Sequence, residues 1–301
     1  MATIKGTDRN DELEGAREAN IIYGYGGADE IEGNRYADTL LGGAGNDEID
    51  GDAGDDLIRG EDGNDSIEGE EGNDRVSGGA GDDRIEGDEG DDRLYGGSGR
   101  DRIEGDSGDD YIVGDSGNDL LYGGSGRDHL RGGEQRDTLY GGRDDDRLYG
   151  GRDHDKLYGD SGDDYLEGGS GNDHMRGGDG ADRLVGGVGL DALWGGSGAD
   201  TFVLSNERNS SDRIFDFVSG LDKIEIDASV FGGGLSAGDR LAEGQLIQAG
   251  DPAAVDGAAF LFDTDSGKLF WDADGAGGEG AVKVAEFFDI QSLSVADFMI
   301  V

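Results

Sequence analysis

The sequence predicts an all-β protein: a parallel β-roll, meaning a two-sheet, right-handed solenoid wound from nonapeptides of the form GGxGxDxUx (U apolar), followed by a C-terminal antiparallel β cap. Three regularities predict it. A nine-residue frame runs from Gly6 to Val203 without insertion or deletion, which makes 22 repeats. Within that frame glycine opens every repeat, and the sixth position is Asp in 21 of them, with Asn20 the exception. The eighth position is always apolar, from Leu13 through Met175 to Phe202. The expected divisions are an N-terminal tail (residues 1–5), the roll (6–203) and the cap (204–301).

Each part of the repeat has a physical role. Glycines at positions 1, 2 and 4 permit the positive dihedrals of a tight turn and leave carbonyl oxygens uncovered. The Asp at position 6 adds a carboxylate to those carbonyls. A donor set made only of oxygens suits a hard cation with flexible coordination, calcium rather than zinc or copper. Positions 7–9 then form a short strand with its middle residue turned inward. So short a strand buries nothing alone and must stack on copies of itself. Two nonapeptides give one coil of 18 residues, hence two parallel sheets with the position-8 side chains between them.

Composition alone argues the other way. The 301 residues include 63 Gly, one Pro and no Cys, and the formal net charge is −46, which is the profile of a disordered chain. Two features oppose that reading: the apolar residues keep one phase, and the acids fall within glycine turns rather than in blocks. A counter-ion must neutralise them. Without cysteine there is no disulfide framework and no thiolate metal site. The start, MATIKGTDRND, shows no signal-peptide pattern, and no stretch of about 18 apolar residues suggests a transmembrane helix. So acidic a chain repels phosphate backbones, which excludes nucleic acid as a partner.

The segments GGAGNDEID, GGAGDDRIE and GGSGNDHMR resemble the glycine-rich nonapeptide of RTX (repeats-in-toxin) hemolysin-type calcium-binding proteins, over about two thirds of the chain. The segments SDRIFDFVSGLDKIEI (211–226), FLFDTDSGKLFWDADG (260–275) and the ending LSVADFMIV resemble the domain that follows such repeats in bacterial proteins exported by type I secretion. The resemblance implies an uncleaved C-terminal export signal, passage unfolded through the type I secretion machinery, and folding outside the cell in calcium. It also implies ions bridging turn n and turn n+2. Counting pairs of turns that keep Gly at positions 1 and 4 and Asp at 6 gives twelve, so about a dozen Ca2+ ions are expected. The expected carboxylate ligands are Asp29, Asp47, Asp56, Asp65, Asp74, Asp83, Asp92, Asp101, Asp110, Asp119, Asp128, Asp164, Asp173, Asp182, Asp191 and Asp200. The backbone carbonyls of Gly45, Gly54, Gly63, Gly72, Gly81, Gly90, Gly99, Gly108, Gly117 and Gly126 are expected beside them. Residues 1–203 carry 53 acidic and 19 basic side chains, net −34, of which twelve divalent ions would cancel 24 charges. Folding and metal binding become one equilibrium.

Departures from the pattern carry their own expectations. Repeats 1, 2 and 4 replace the position-4 glycine by Arg9, Glu18 and Tyr36, which reads as a worn end acting as a cap. Repeats 15–17 replace it by Gln135, Asp144 and Asp153 and gain Arg136, Arg143 and Arg152. Either those guanidinium groups stand in for calcium by pairing with Asp carboxylates, or the turns still bind calcium through carbonyls. Tyr122, Tyr140 and Tyr158 at position 9 of alternate repeats, with Trp194 further on, form a ladder on an outer face. It is either a contact surface for a polysaccharide or cell-surface partner or plain cross-strand stacking.

No catalytic constellation is visible. His129, His154 and His174 lie at repeat positions 5 or 7, no HExxH or GxSxG occurs, and recurring acid pairs such as Asp55 and Asp56 mark a solvated turn. In residues 204–301 short alternating segments predict antiparallel strands around Phe202, Phe215, Phe217, Phe260, Phe262, Phe270 and Trp271. WDADGAGG resembles the start of an EF-hand loop, but Lys283 takes the place of its bidentate Glu, so a turn is expected. The function expected is that of a secreted, extracellular, non-enzymatic calcium-binding roll with a structural, adhesion or host-contact role. The alternatives are a polysaccharide-binding module of the kind attached to polysaccharide-modifying enzymes, and a membrane-active RTX factor, against which the lack of a long apolar segment weighs.

Overall fold

A computed structural model describes residues 1–204, 211–249, 257–273 and 281–301. The EF-hand-like stretch from residue 274 to 280 lies outside the described residues. The chain divides into two compact units, Met1–Arg152 and Asp153–Val301.

In the first unit two parallel sheets alternate along the chain. One holds the strands Ala2–Lys5, Asn20–Gly26, Thr39–Ala44, Leu57–Asp62, Arg75–Ala80, Arg93–Ser98, Tyr111–Ser116, His129–Glu134 and Arg147–Arg152. The other holds Glu12–Glu14, Glu30–Glu32, Glu48–Asp50, Ser66–Glu68, Arg84–Glu86, Arg102–Ser107, Leu120–Ser125 and Thr138–Arg143. Residues pair with those 18 positions on, as Leu94 with Ile112 and Ile103 with Leu121. Many strands exceed the three residues expected, because pairing continues through positions 2 and 3 of the next turn, as between Gly97 and Asp115. Residues 2–5 also pair in this register, Ile4 opposite Ile22, so the segment expected as a tail forms a strand.

The position-8 side chains meet between the sheets. Ile22, Leu40, Ile58, Ile85, Leu94, Ile112 and Leu130 are fully buried. Each aliphatic side chain so withdrawn from water contributes about 2 kcal/mol. Glycine makes the close stacking of coils possible at two positions. A Cβ on Gly63, at φ +147°, would lie 1.7 Å from the Gly45 carbonyl oxygen of the preceding coil. At position 1 the room goes to a carboxylate, since a Cβ on Gly69 would meet Asp74 Oδ2 at 2.7 Å.

The second unit continues the same plan and then changes it. Tyr165–Ser170, Arg183–Val188, Thr201–Leu204, Lys223–Ile226 and Phe298–Ile300 form one wholly parallel sheet. In the other, Lys156–Ser161, His174–Asp179, Ala192–Ser197, Asp212–Ile214 and Val282–Phe287 run parallel. Among the described residues antiparallel pairing is confined to Val282–Phe287 with Lys268–Asp272 and Lys268–Asp272 with Ala259–Asp263; Leu246–Ala249 then adds in parallel to Ala259–Asp263. The cap expected from residue 204 is therefore mixed, and parallel coiling outlasts the nonapeptides. The reason is local: Asp212-Arg213-Ile214 and Asp222-Lys223-Ile224 repeat the Asp-x-apolar signature of positions 6–8.

Phe202, Phe217, Phe260, Phe262 and Trp271 are buried as expected, joined by Phe231, Phe287 and Phe298. The Trp271 indole N–H donates to the Phe231 carbonyl at 3.0 Å. Phe215 and Phe270 are only half-buried, because alternation turns them to the opposite face from their buried neighbours Ile214 and Trp271.

The glycine geometry sets an expectation for substitution in saturating calcium. Gly63→Ala should cost at least about 2 kcal/mol, since the coil must open around the new methyl group. Gly220→Ala, where no atom lies within 4 Å, should cost about 1 kcal/mol for its positive φ alone. Urea unfolding of both variants checks the difference; equal losses would mean that coil contact does not select glycine.

Candidate metal centre

The turn that opens each repeat points its position-6 carboxylate into the solenoid, not toward solvent. All sixteen expected aspartates are at most 3% exposed, and so are Asp38, Asp137, Asp146 and Asp155 of the degenerate repeats. One oxygen of each carboxylate is held by the neighbouring coil. The Asp47 backbone N–H donates to Asp65 Oδ1 at 2.8 Å, Asp74 to Asp92 at 2.7 Å and Asp110 to Asp128 at 2.9 Å. In the second unit Asp155 donates to Asp173 at 2.8 Å, Asp164 to Asp182 at 2.9 Å and Asp173 to Asp191 at 2.8 Å.

The second oxygen is the decisive one. Oδ2 is buried without a hydrogen-bond partner in Asp29, Asp38, Asp47, Asp56, Asp65, Asp74, Asp83, Asp92, Asp101, Asp110, Asp119 and Asp128, and again in Asp173, Asp182 and Asp191. A buried carboxylate with one oxygen unsatisfied is costly unless a cation pairs with it. The titration behaviour reports that cost. Burial, aided by neighbouring aspartates, pushes Asp56, Asp83, Asp119, Asp173 and Asp182 up to about 7, and Asp92 and Asp128 to about 8. Rows of buried oxygens with carboxylate charge fit a hard divalent cation, as the donor chemistry requires.

Backbone carbonyls lie at the same turns. The position-4 oxygens of Gly45, Gly54, Gly63, Gly72, Gly81, Gly90, Gly99 and Gly108 point at the position-4 glycine one coil on. Where glycine is lost the turn changes: Gln135, Asp144 and Asp153 take φ of 79°, 72° and 72°, against 112° to 159° for the position-4 glycines with positive φ, from Gly27 to Gly117.

Of the two readings of repeats 15–17, arginine in place of calcium finds no support in the positions of the three side chains. Arg136, Arg143 and Arg152 are exposed, and Arg152 pairs with Glu134 at 2.6 Å on the surface. Asp137, Asp146 and Asp155 are each 1% exposed. Positions 3 and 5 of these turns are exposed while position 6 is buried.

A second ladder escaped the sequence reasoning. At position 5, side-chain oxygens accept from the backbone one coil later: Asn46 Oδ1 from Asn64 N–H at 3.0 Å and Asn64 Oδ1 from Asp82 N–H at 2.9 Å. His154 Nδ1 serves Asn172 N–H the same way at 2.7 Å. The recurrence of Asn and Asp at position 5 was its available signal.

The outer aromatics stack along the sheets. Tyr122 and Tyr140 are parallel at 5.0 Å, with Arg102 over Tyr122 at 4.7 Å. In the second unit Tyr158, His174, Trp194, Phe215 and Phe288 follow one another, Trp194 to Phe215 at 4.2 Å and Phe215 to Phe288 at 4.6 Å. Tyr122 with Tyr140, Trp194 with Phe215 and Phe215 with Phe288 stack face to face. On the other sheet of the first unit Tyr95, Tyr111, His129 and Tyr149 form a ladder the sequence reading missed.

Asp92→Asn should act with opposite signs in two conditions. It removes a buried charge, so the metal-free chain should need less trimethylamine oxide to fold in chelator. With calcium it removes a charged ligand, and about 1–3 kcal/mol of stability should be lost. Asp91→Asn is the control, because Asn73 already performs the same acceptor role at position 5. Circular dichroism against osmolyte and against calcium reads both; loss or gain in both conditions would contradict the assignment.

Comparison with known proteins agrees with this geometry. The family model of the RTX calcium-binding nonapeptide repeat matches in ten overlapping segments, from residues 5–35 to residues 176–206. No curated protein matches. Among solved structures, a subunit of the mannuronan C5-epimerase of Azotobacter vinelandii is 26% identical over 52% of this chain and 77% of its own, with a TM-score of 0.24. A hyperactive, Ca2+-dependent, β-helical antifreeze protein from an Antarctic bacterium is 19% identical over 73% of this chain and 85% of its own, with a TM-score of 0.35. With the family model covering residues 5–206, the chain belongs to the RTX family of calcium-binding nonapeptide-repeat proteins.

Proposed function

We propose that this protein is a secreted, non-enzymatic roll that leaves the cell unfolded through type I secretion, folds on external calcium and then serves as a structural, adhesion or host-contact factor. The observation that carries the reading is the set of buried Asp Oδ2 atoms without partners. A chain that must bury such oxygens stays open where calcium is scarce, as export requires, and closes where calcium is abundant. About a dozen ions, held by the position-6 aspartates and the position-4 carbonyls, complete the fold.

The outer faces of the first unit support an anionic partner. On the sheet containing Arg93–Ser98, positions 7 and 9 present Arg59, Arg75, Arg93, Arg131 and Arg147, all exposed, with Tyr95, Tyr111 and Tyr149 among them. No acidic residue occupies positions 7 or 9 of that sheet from Thr39 to Tyr149. None of the five arginines has a carboxylate partner among the described residues. In a chain of net charge −46, that concentration of guanidinium groups without carboxylate partners suits an anionic polysaccharide at a cell surface.

The test is binding of the calcium-loaded protein to a polyuronate, a neutral glucan and liposomes. Binding to the polyuronate alone is expected, weakened about tenfold by Arg75→Ser with Arg93→Ser and by raised salt. Dye release from liposomes, or equal binding to the neutral glucan, would contradict the reading.

A further inference from the structure

The aspartate row does not stop where the nonapeptides do. Asp191 belongs to the repeat before last, and its backbone N–H donates at 3.2 Å to Oδ1 of Asp212, which lies 21 residues later, outside the nonapeptide frame. Asp212 is 1% exposed, and its Oδ2 has no hydrogen-bond partner. The adjacent Ser211 Oγ is also buried and unpartnered. Asp191, itself fully buried, presents an unpartnered Oδ2 of its own. Two such carboxylates in successive coils continue the arrangement of the roll, as at Asp74 and Asp92, and the buried Ser211 hydroxyl is an addition to it.

The other edge of the same unit provides the contrast. Asp222 accepts from Asp200 N–H at 3.1 Å, which makes it the equivalent continuation of that row. Its second oxygen, however, accepts from Val218 N–H at 2.7 Å. Asp222 is thus satisfied by protein alone, whereas Asp212 is not. Both follow the Asp-x-apolar signature, so the sequence does not separate them; the hydrogen bonding does.

We propose that Asp212, with Asp191 and Ser211, forms a calcium site beyond the nonapeptide array, and that Asp222 forms none. The inference rests on the calcium reading above and adds a specific ligand to it. Its consequence is structural: the strand Asp212–Ile214 pairs with both Ala192–Ser197 and Val282–Phe287, so an ion at its head fastens the last repeat to the strands that follow.

The experiment counts bound calcium in the intact chain by native mass spectrometry, beside circular dichroism, for the wild type, Asp212→Asn and Asp222→Asn. The expected result is one ion fewer in Asp212→Asn and the wild-type count in Asp222→Asn. A wild-type count in folded Asp212→Asn overturns the proposal while leaving the calcium reading intact; a wild type that binds no calcium overturns the reading itself. If Asp212→Asn does not fold, Ser211→Ala decides. A site ligand lost there weakens one calcium equilibrium about tenfold, whereas unchanged or tighter calcium binding overturns the proposal.

Discussion

The structure depends on one costly arrangement: like-charged carboxylates stacked coil upon coil inside a protein. Parallel strands set successive coils about 4.8 Å apart. At an effective dielectric constant of about 20, two unit charges near 5 Å repel by about 3 kcal/mol. Screening by salt does little inside a Debye length of about 8 Å. The backbone answers only half of the problem, by donating one N–H to Oδ1 of each aspartate. The unpartnered Oδ2 atoms leave the other half to a cation. Everything else in the repeat serves this arrangement: glycine at position 1 gives the carboxylate its space, glycine at position 4 lets the coils approach, and position 8 supplies the apolar contact that aligns them.

The same constraint divides the residues into those the fold fixes and those it leaves free. Positions 1, 4, 6 and 8 are occupied by packing and charge. Positions 7 and 9 face outward and vary, and the variation is organised. Glu12, Glu30, Glu48, Glu68 and Glu86 line one sheet of the first unit, while the arginines from Arg59 to Arg147 line the other. Stacked rings such as Tyr122 with Tyr140 strengthen neighbouring strands. The proposed surface role therefore rests on guanidinium charge rather than on aromatic platforms.

The repeat made most of this legible in advance. A fixed period of nine places Asp47, Asp65 and Asp83 in one row and Ile49, Ile67 and Ile85 in one core without further information, because 18 residues per coil is then forced. Legibility failed where the period did. Ala2–Lys5 carries the phase of positions 6–9 but has Ala2 where the repeats have Asp. Asp212 and Asp222 sit 21 and 22 residues after their predecessors, so the frame does not reach them. Arg136, Arg143 and Arg152 were open to misreading because composition does not say which way a turn residue points. The ladder of Tyr95, Tyr111, His129 and Tyr149 mixes positions 7 and 9, and only the strand register shows that their rings meet.

The measurement closest to the central claim is a calcium titration of the intact chain, followed by far-UV circular dichroism and size exclusion with the ion count read in parallel. The account predicts an expanded, disordered chain in chelator that becomes compact and β-rich in one cooperative step, with about a dozen ions bound. A chain that is already compact and β-rich in chelator would contradict it, because the buried carboxylates would then be tolerated without the cation on which the whole arrangement depends.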